Sequence, residues 1–203
     1  MQTTNHLDLW DYRRRVADQY RAVRHGGPSE STWAVWREAR DDLFRRHPQS
    51  PLAAAERTGF GGLRYFAYDP ALVFEAVVQP LDEGVRTLIA HSGSGETFFR
   101  RFGEALIEIE GTPTRLVLYW LEGYGGGVFL PFGDLTNGTE TYGGGRYLVD
   151  SAKGADLGGH DNKVVLDFNF AYHPSCVYSD RWSCPLAPTE SRLPVAIRAG
   201  ERL

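Results

Sequence analysis

The sequence predicts an α+β, mainly β fold: an antiparallel β-barrel or sandwich preceded by two N-terminal helices. Three observations predict it. Apolar residues before residue 50 recur at helical spacing. From about residue 60 the period shortens to that of strands. Glycine, proline and asparagine then punctuate the chain at short intervals, which leaves no room for the crossover helices of a parallel sheet.

The first helix is expected over residues 8–24, with Leu9, Trp10, Val16, Tyr20 and Val23 on one face and Gly26-Gly27-Pro28 as its stop. A second should run from Ser31 to His47, burying Trp33, Trp36, Leu43 and Phe44. It ends at His47-Pro48, because the residue before proline avoids helical backbone. Arg13, Arg14, Arg15, Arg37 and Arg40 are then expected to face water or neighbouring acids. Strands are expected at Leu63–Phe66, Leu72–Gln79, Val85–His91, Thr97–Phe102, Ala105–Glu110 and Arg115–Leu121. Further ones are expected at Val128–Phe132, Thr139–Tyr142, Arg146–Asp150, Lys163–Phe170 and Leu193–Ala199. Residues 1–203 read as one domain, with 1–50 its helical segment and 60–203 its β-rich core.

Bulk properties narrow the function classes. The net charge of −4 and the absence of a recognition motif argue against nucleic acid. No apolar run approaches the roughly 20 residues of a membrane span, and the N-terminus lacks the basic and apolar regions of a signal peptide. Two cysteines are too few for a disulfide framework, so a cytoplasmic location is expected. Gly143-Gly144-Gly145-Arg146 lacks the spacing of a phosphate-binding loop.

The runs YWLEGYGGGVFLPFGDLTNGTETYGGGRYLVD and LDFNFAYHPSCVYSDRWSCPLAPTESRLPVAIRAGE carry a resemblance. They resemble the bacterial domain of unknown function sixteen-eighty-four family, strongly in the C-terminal half and more loosely in the second helix. Phe132, Asp134, Thr136, Gly138 and the run from Glu140 to Tyr147 fit its first motif; Asn169, Tyr172, Pro174, Cys176, Tyr178, Cys184 and Pro185 fit its second. His173 and Ser191 depart from it, since the pattern has asparagine at both. The resemblance implies no settled activity.

The residues themselves suggest a pocket. Asn137-Gly138 is a strong signal for a two-residue hairpin, which would pair Asp134 with Thr141. Strand alternation beyond the turn would then put Glu140, Tyr142 and Arg146 on one face, where a carboxylate, a phenol and a guanidinium could hold a polar or anionic ligand. The competing reading is a structural ion pair beside a bulge. Tyr124, Asn169 and Tyr172 complete the expected lining. Asp167 and Asn169 alternate away from the core face of their strand, toward solvent or a cavity, and Asp134 with Asp167 would form an acid–base pair if they met.

Two alternatives stay open. His173, Cys176 and Cys184 could supply three ligands to zinc with an open coordination position, although the seven-residue gap between the cysteines is wide for a structural site; buried or redox-active thiols fit the same residues. The chain could also be a structural or interaction domain. The leading expectation is a module that binds a small polar molecule without a cofactor; the sequence leaves catalysis and oligomeric state open.

Overall fold

The computed structural model describes residues 3–82 and 86–203. Two long helices, α1 (Thr3–Gly26) and α2 (Glu30–Arg46), lead into a strongly curled antiparallel half-barrel sheet. Ser29 caps α2: its side chain accepts the Thr32 N–H while Thr32 reaches back to the Ser29 N–H, so two otherwise unpaired donors are satisfied. A four-residue helix, α3 (Ala54–Arg57), follows.

The strands are β1 (Arg64–Tyr65), β2 (Val73–Pro80), β3 (Arg86–Ala90), β4 (Glu96–Ile109), β5 (Thr112–Leu121), β6 (Val128–Phe132), β7 (Arg146–Asp150), β8 (Gly159–His160), β9 (Lys163–Asp167) and β10 (Glu201–Arg202). Their order in the main sheet is β7-β6-β5-β4-β2-β9-β8, with β3 paired to β4, and β1 pairs with β10 apart from it. Val85, the expected start of the third strand, lies outside the described residues.

Both faces of the sheet are covered, which β5 shows most clearly. Alternation sends Leu116 and Leu118 to one core and Val117 and Tyr119 to the other, and all four are buried. The first core is closed by the C-terminal segment through Leu193, Val195, Ile197 and Ala199. The second is closed by the helices, with Val16, Tyr20, Val23, Trp33 and Trp36 packed on Phe129, Tyr147, Phe170 and Tyr172. Trp36 alone meets Tyr20, Tyr65 and Phe170 edge to face.

Several sequence expectations are corrected. Trp10 is 61 % exposed beneath the Arg14 guanidinium, because the stripe through Val16, Tyr20 and Val23 passes it by. Thr97–Phe102 and Ala105–Glu110 are one strand, β4, since the chain bulges at Phe102 instead of turning at Gly103. A side chain there would come within 2.5 Å of Val78 on β2. Thr139–Tyr142 forms turns. The Lys163–Phe170 strand stops at Asp167, whose carboxylate accepts the Asn169 N–H and opens a 3₁₀ turn over Phe168–Phe170. That turn swings Phe170 from the face shared by Leu166 and Phe168 into the helix-side core.

Leu193–Ala199 is not a strand of the sheet either, and one side chain explains why. Arg146 donates to the carbonyls of Ile197 (2.7 Å), Ala199 (2.5 Å) and Glu201 (3.1 Å). Alternate carbonyls of an extended segment point the same way, so a single guanidinium stands in for a neighbouring strand.

Candidate functional site

Arg146 is fully buried. Besides the three carbonyls it pairs with Asp134 at 2.9 Å, and its only unpartnered polar atom is Nε. The other oxygen of Asp134 accepts from the Thr136 N–H, the Thr136 hydroxyl and the Ile197 N–H. These bonds also explain why the Asn137-Gly138 hairpin does not form. Asp134 ties down Thr136, and the Asn137 side chain accepts from the Asp134 N–H and donates to Thr141. The Thr136 carbonyl then takes the N–H groups of Thr139, Glu140 and Thr141. Asx-type bonds thus outcompete the ladder. Gly138 has positive φ (82°) but Asn137 does not, whereas a type I′ turn needs both.

With the hairpin gone, the strand parity behind the expected site is lost. Glu140 faces outward and pairs with Arg198 at 2.9 Å. Tyr142 donates its N–H to the ring of His173 at 3.2 Å. Tyr124 is fully exposed. Asn169 is fully buried and staples three segments: its side chain holds both the N–H and the carbonyl of Asp69, and its own carbonyl accepts the Trp33 indole N–H at 2.8 Å. Asp167, bonded to Asn169 and not to Asp134, is buried with one oxygen unpartnered, and desolvation pushes its carboxyl up to about 6. Of the six residues singled out from sequence, Tyr172 lines an internal cavity and Tyr124 lines the open groove beside it.

That cavity, about 220 Å³, lies between α1, α2, β7 and the 172–185 segment. Tyr12 and Tyr20 come from α1, Arg40 and Phe44 from α2, Tyr147 from β7, and Tyr172 from the C-terminal segment. Lys153 stands at its mouth, 44 % exposed, with its amine on Asp150 at 2.6 Å. A larger, more open groove beside it, of about 660 Å³, shares Arg13, Tyr147 and Lys153, so the two are contiguous.

Three cationic side chains, Arg13, Arg40 and Lys153, line the cavity, and among the described residues no carboxylate does. Arg40 is packed against the rings of Phe44 and Tyr172 (4.9 and 4.8 Å) and pairs with Glu201 at 3.0 Å. Burial raises the Glu201 carboxyl and the Arg40 charge opposes that shift. The Arg40 Nε and the Tyr20 hydroxyl are buried without a partner. Burial also holds the Tyr20 phenol far above its ordinary range, so it stays a donor.

Sequence reasoning assigned Arg40 to water or an acid, and the acid it finds is buried. A signal for it existed: Trp33, Trp36, Arg40 and Leu43 follow one helical stripe, so Arg40 occupies an apolar position. Nothing local distinguishes Tyr147 or Lys153.

His173 is buried and its ring is pushed down to about 3 by desolvation, then by Arg146 and Arg40. Its Nε2 accepts the Tyr142 N–H, so it is neutral and already engaged. Cys176 and Cys184 are free and half-buried. Among the described residues, no three His, Cys, Asp or Glu side chains gather as a metal-ligand set. No described helix is long and apolar enough to cross a membrane.

Comparison with known proteins adds family and fold. The chain matches no curated protein. Among solved structures it is similar to an uncharacterised protein of Haloarcula marismortui determined by solution NMR. The two are 34 % identical with a TM-score of 0.61, over 86 % of this chain and 94 % of that one. The family model described as "protein of unknown function (DUF1684)" matches residues 58–202, which include Tyr147, Lys153, Tyr172, Cys176 and Cys184 but not α1 or α2. The chain belongs to this family, DUF1684.

Proposed function

We propose that the chain binds a small organic anion in the cavity between the helices and the sheet. The observation that carries this reading is the polarity of the lining. In a protein of net charge −4, three cations and, among the described residues, no carboxylate line a cavity where the buried Tyr20 hydroxyl lacks a partner. A carboxylate or phosphate would accept from Lys153, Arg40 and Tyr20. The faces of Tyr12, Phe44 and Tyr172 would receive an apolar body. Glu201 and Asp150 fix the positions of Arg40 and Lys153; neither lines the cavity, and Asp150 lines the adjoining groove. The volume is near seven waters at about 30 Å³ each, so the ligand is smaller than a nucleotide or a drug-sized molecule.

Thermal shift with phenyl phosphate and benzoate, against benzamide as the neutral counterpart, tests the reading. At ten times a millimolar Kd, linkage gives about 1.4 kcal/mol, or roughly 3–6 °C for a chain of this size. That rise is expected with the anions, is expected to vanish in Lys153→Met, and should be absent with benzamide. Equal shifts for charged and neutral probes, or none at 10 mM, would overturn the proposal.

A further inference from the structure

We propose that the groove beside the cavity is an acyl-transfer site that hydrolyses carboxylic esters, with Thr97 as nucleophile, His91 as its general base and Ser183 as the residue that positions the imidazole. The β3–β4 hairpin brings the first two together. Thr97 pairs with Ile89 across the hairpin, and His91 lies two residues beyond Ile89, so alternation sends both side chains to the helix-side face of the sheet. The His91 N–H bonds to the Gly95 carbonyl at 3.2 Å and closes the turn. Ser183 arrives from the C-terminal segment, which runs beside the end of β3. Ser92 donates its N–H to the Cys184 carbonyl at 2.9 Å, the Cys184 N–H returns to the Ser92 hydroxyl at 3.1 Å, and the Leu186 N–H reaches the Ala90 carbonyl at 2.9 Å.

The hydrogen bonds among these side chains run in one direction. The Ser183 hydroxyl donates to the Ser94 carbonyl at 2.8 Å, so its oxygen accepts the His91 Nδ1–H at 3.3 Å. With the proton on Nδ1, the Nε2 lone pair accepts the Thr97 hydroxyl at 2.8 Å. That is the order nucleophile, base, orienting group, with a neutral hydroxyl in the third place. Partial burial holds the imidazole below its ordinary range, which keeps it neutral and able to take a proton at pH 7. His91 and Thr97 line the groove, and Ser183 lines the adjoining cavity. Arg13 and Lys153 line both spaces and supply positive charge for the oxyanion that attack creates.

The chemistry balances with water as the co-reactant. The Thr97 oxygen attacks the ester carbonyl carbon while its proton passes to His91 Nε2. The tetrahedral intermediate collapses, the bond to the alcohol oxygen breaks, and the alcohol leaves with the His91 proton. An acyl ester on Thr97 remains. Water then attacks the same carbonyl and gives a proton to His91, which returns it to the Thr97 oxygen as the carboxylic acid departs. The substrate class rests on the anion reading above: the acyl part carries an anionic group into the cavity. The alcohol part occupies the groove, whose volume is about 660 Å³.

The probes are p-nitrophenyl 4-carboxybenzoate and its neutral parent p-nitrophenyl benzoate, with nitrophenolate release followed by absorbance and the acyl group mapped by peptide mass. Wild type is expected to release about one equivalent in a burst and to carry the acyl group on Thr97. The carboxylate ester should acylate about tenfold faster than the neutral one. Thr97→Val should lose the adduct and Thr97→Ser keep it, and His91→Gln should slow acylation about 100-fold, all three first shown by circular dichroism to fold. Ser183→Ala should lower kcat about tenfold with KM unchanged, and Ser183→Thr should restore it. An adduct on any residue other than Thr97 would overturn the proposal. So would Thr97→Val turning over like wild type, or native release no faster than that of the urea-unfolded chain. An adduct on Thr97 formed equally fast from both esters supports the Thr97–His91 pair and counts against the anion reading. A thermal shift with phenyl phosphate but no acyl-Thr97 does the reverse.

Discussion

Replacing Arg146 by methionine is the perturbation whose cost can be worked most fully from the structure. Methionine is of similar length and fills the space without a charge. The guanidinium leaves behind three main-chain carbonyls, at Ile197, Ala199 and Glu201, and one oxygen of Asp134, all facing a buried site. The second Asp134 oxygen keeps its three donors, so the carboxylate is orphaned only in part. Breaking a buried pair from one side costs about 3–5 kcal/mol, most of it from the uncompensated partner. For a chain of this size each kcal/mol moves Tm by about 2–4 °C, so a fall of roughly 6–20 °C is expected. Near-ultraviolet circular dichroism and urea unfolding measure it, and amide exchange should quicken first in the 193–201 segment that Arg146 holds. A second variant separates charge from volume. Asp134→Leu combined with Arg146→Met removes both partners and should recover part of the loss. A Tm change under about 2 °C for Arg146→Met, or a double variant as unstable as the two single losses added, would refute the reasoning.

Three further outcomes follow from other buried and exposed charges. Asp167 has a folded value of about 6 against an ordinary 3.8, so the native state binds the extra proton between those values and stability falls as pH rises through that window. Asp167→Asn should therefore stabilise by about 1–3 kcal/mol at pH 7 and have little effect at pH 3.5, read from urea midpoints. His173 acts in the opposite sense: its folded value of about 3 lies below the ordinary 6.5, so the unfolded chain takes the proton first and stability drops as pH falls below 6.5. The loss is about 1.4 kcal/mol per pH unit, and His173→Gln, which keeps an acceptor for Tyr142, should flatten that limb in a pH series of urea melts. Glu140→Gln should change stability by no more than about 0.5 kcal/mol in the same assay, because its partner Arg198 is largely exposed.

The architecture was legible because each layer has a local cause. Helical spacing before residue 50, strand spacing after 60 and dense turn residues are enough to order the elements. What failed locally was decided by single side chains. Gly103 reads as punctuation between strands but follows a bulge at Phe102, and the alternating apolar residues Leu193, Val195, Ile197 and Ala199 read as a strand that Arg146 then claims. The Asn137-Gly138 signal was real, yet Asp134 and Asn137 offered the backbone closer partners. A one-residue change of turn reverses every side chain beyond it, which is why Glu140 and Arg146 part company.

The cavity was less legible than the fold for a different reason. It is built from residues separated by more than a hundred positions, and a tyrosine on an amphipathic helix carries the same pattern whether it faces a core or a void. Tyr172 was found through its place near other polar residues in the C-terminal half. Arg40 was findable only as a charge on an apolar stripe, and such a charge implies a buried partner without naming it.

The most direct measurement of the binding reading is a crystal structure of the protein grown with phenyl phosphate at saturating concentration. The expected density places the phosphate against Lys153 and Arg40 with the ring between Tyr12 and Tyr172, and the Tyr20 hydroxyl gains an acceptor. A cavity empty of the probe, or a probe bound elsewhere while these side chains keep their present partners, would contradict it.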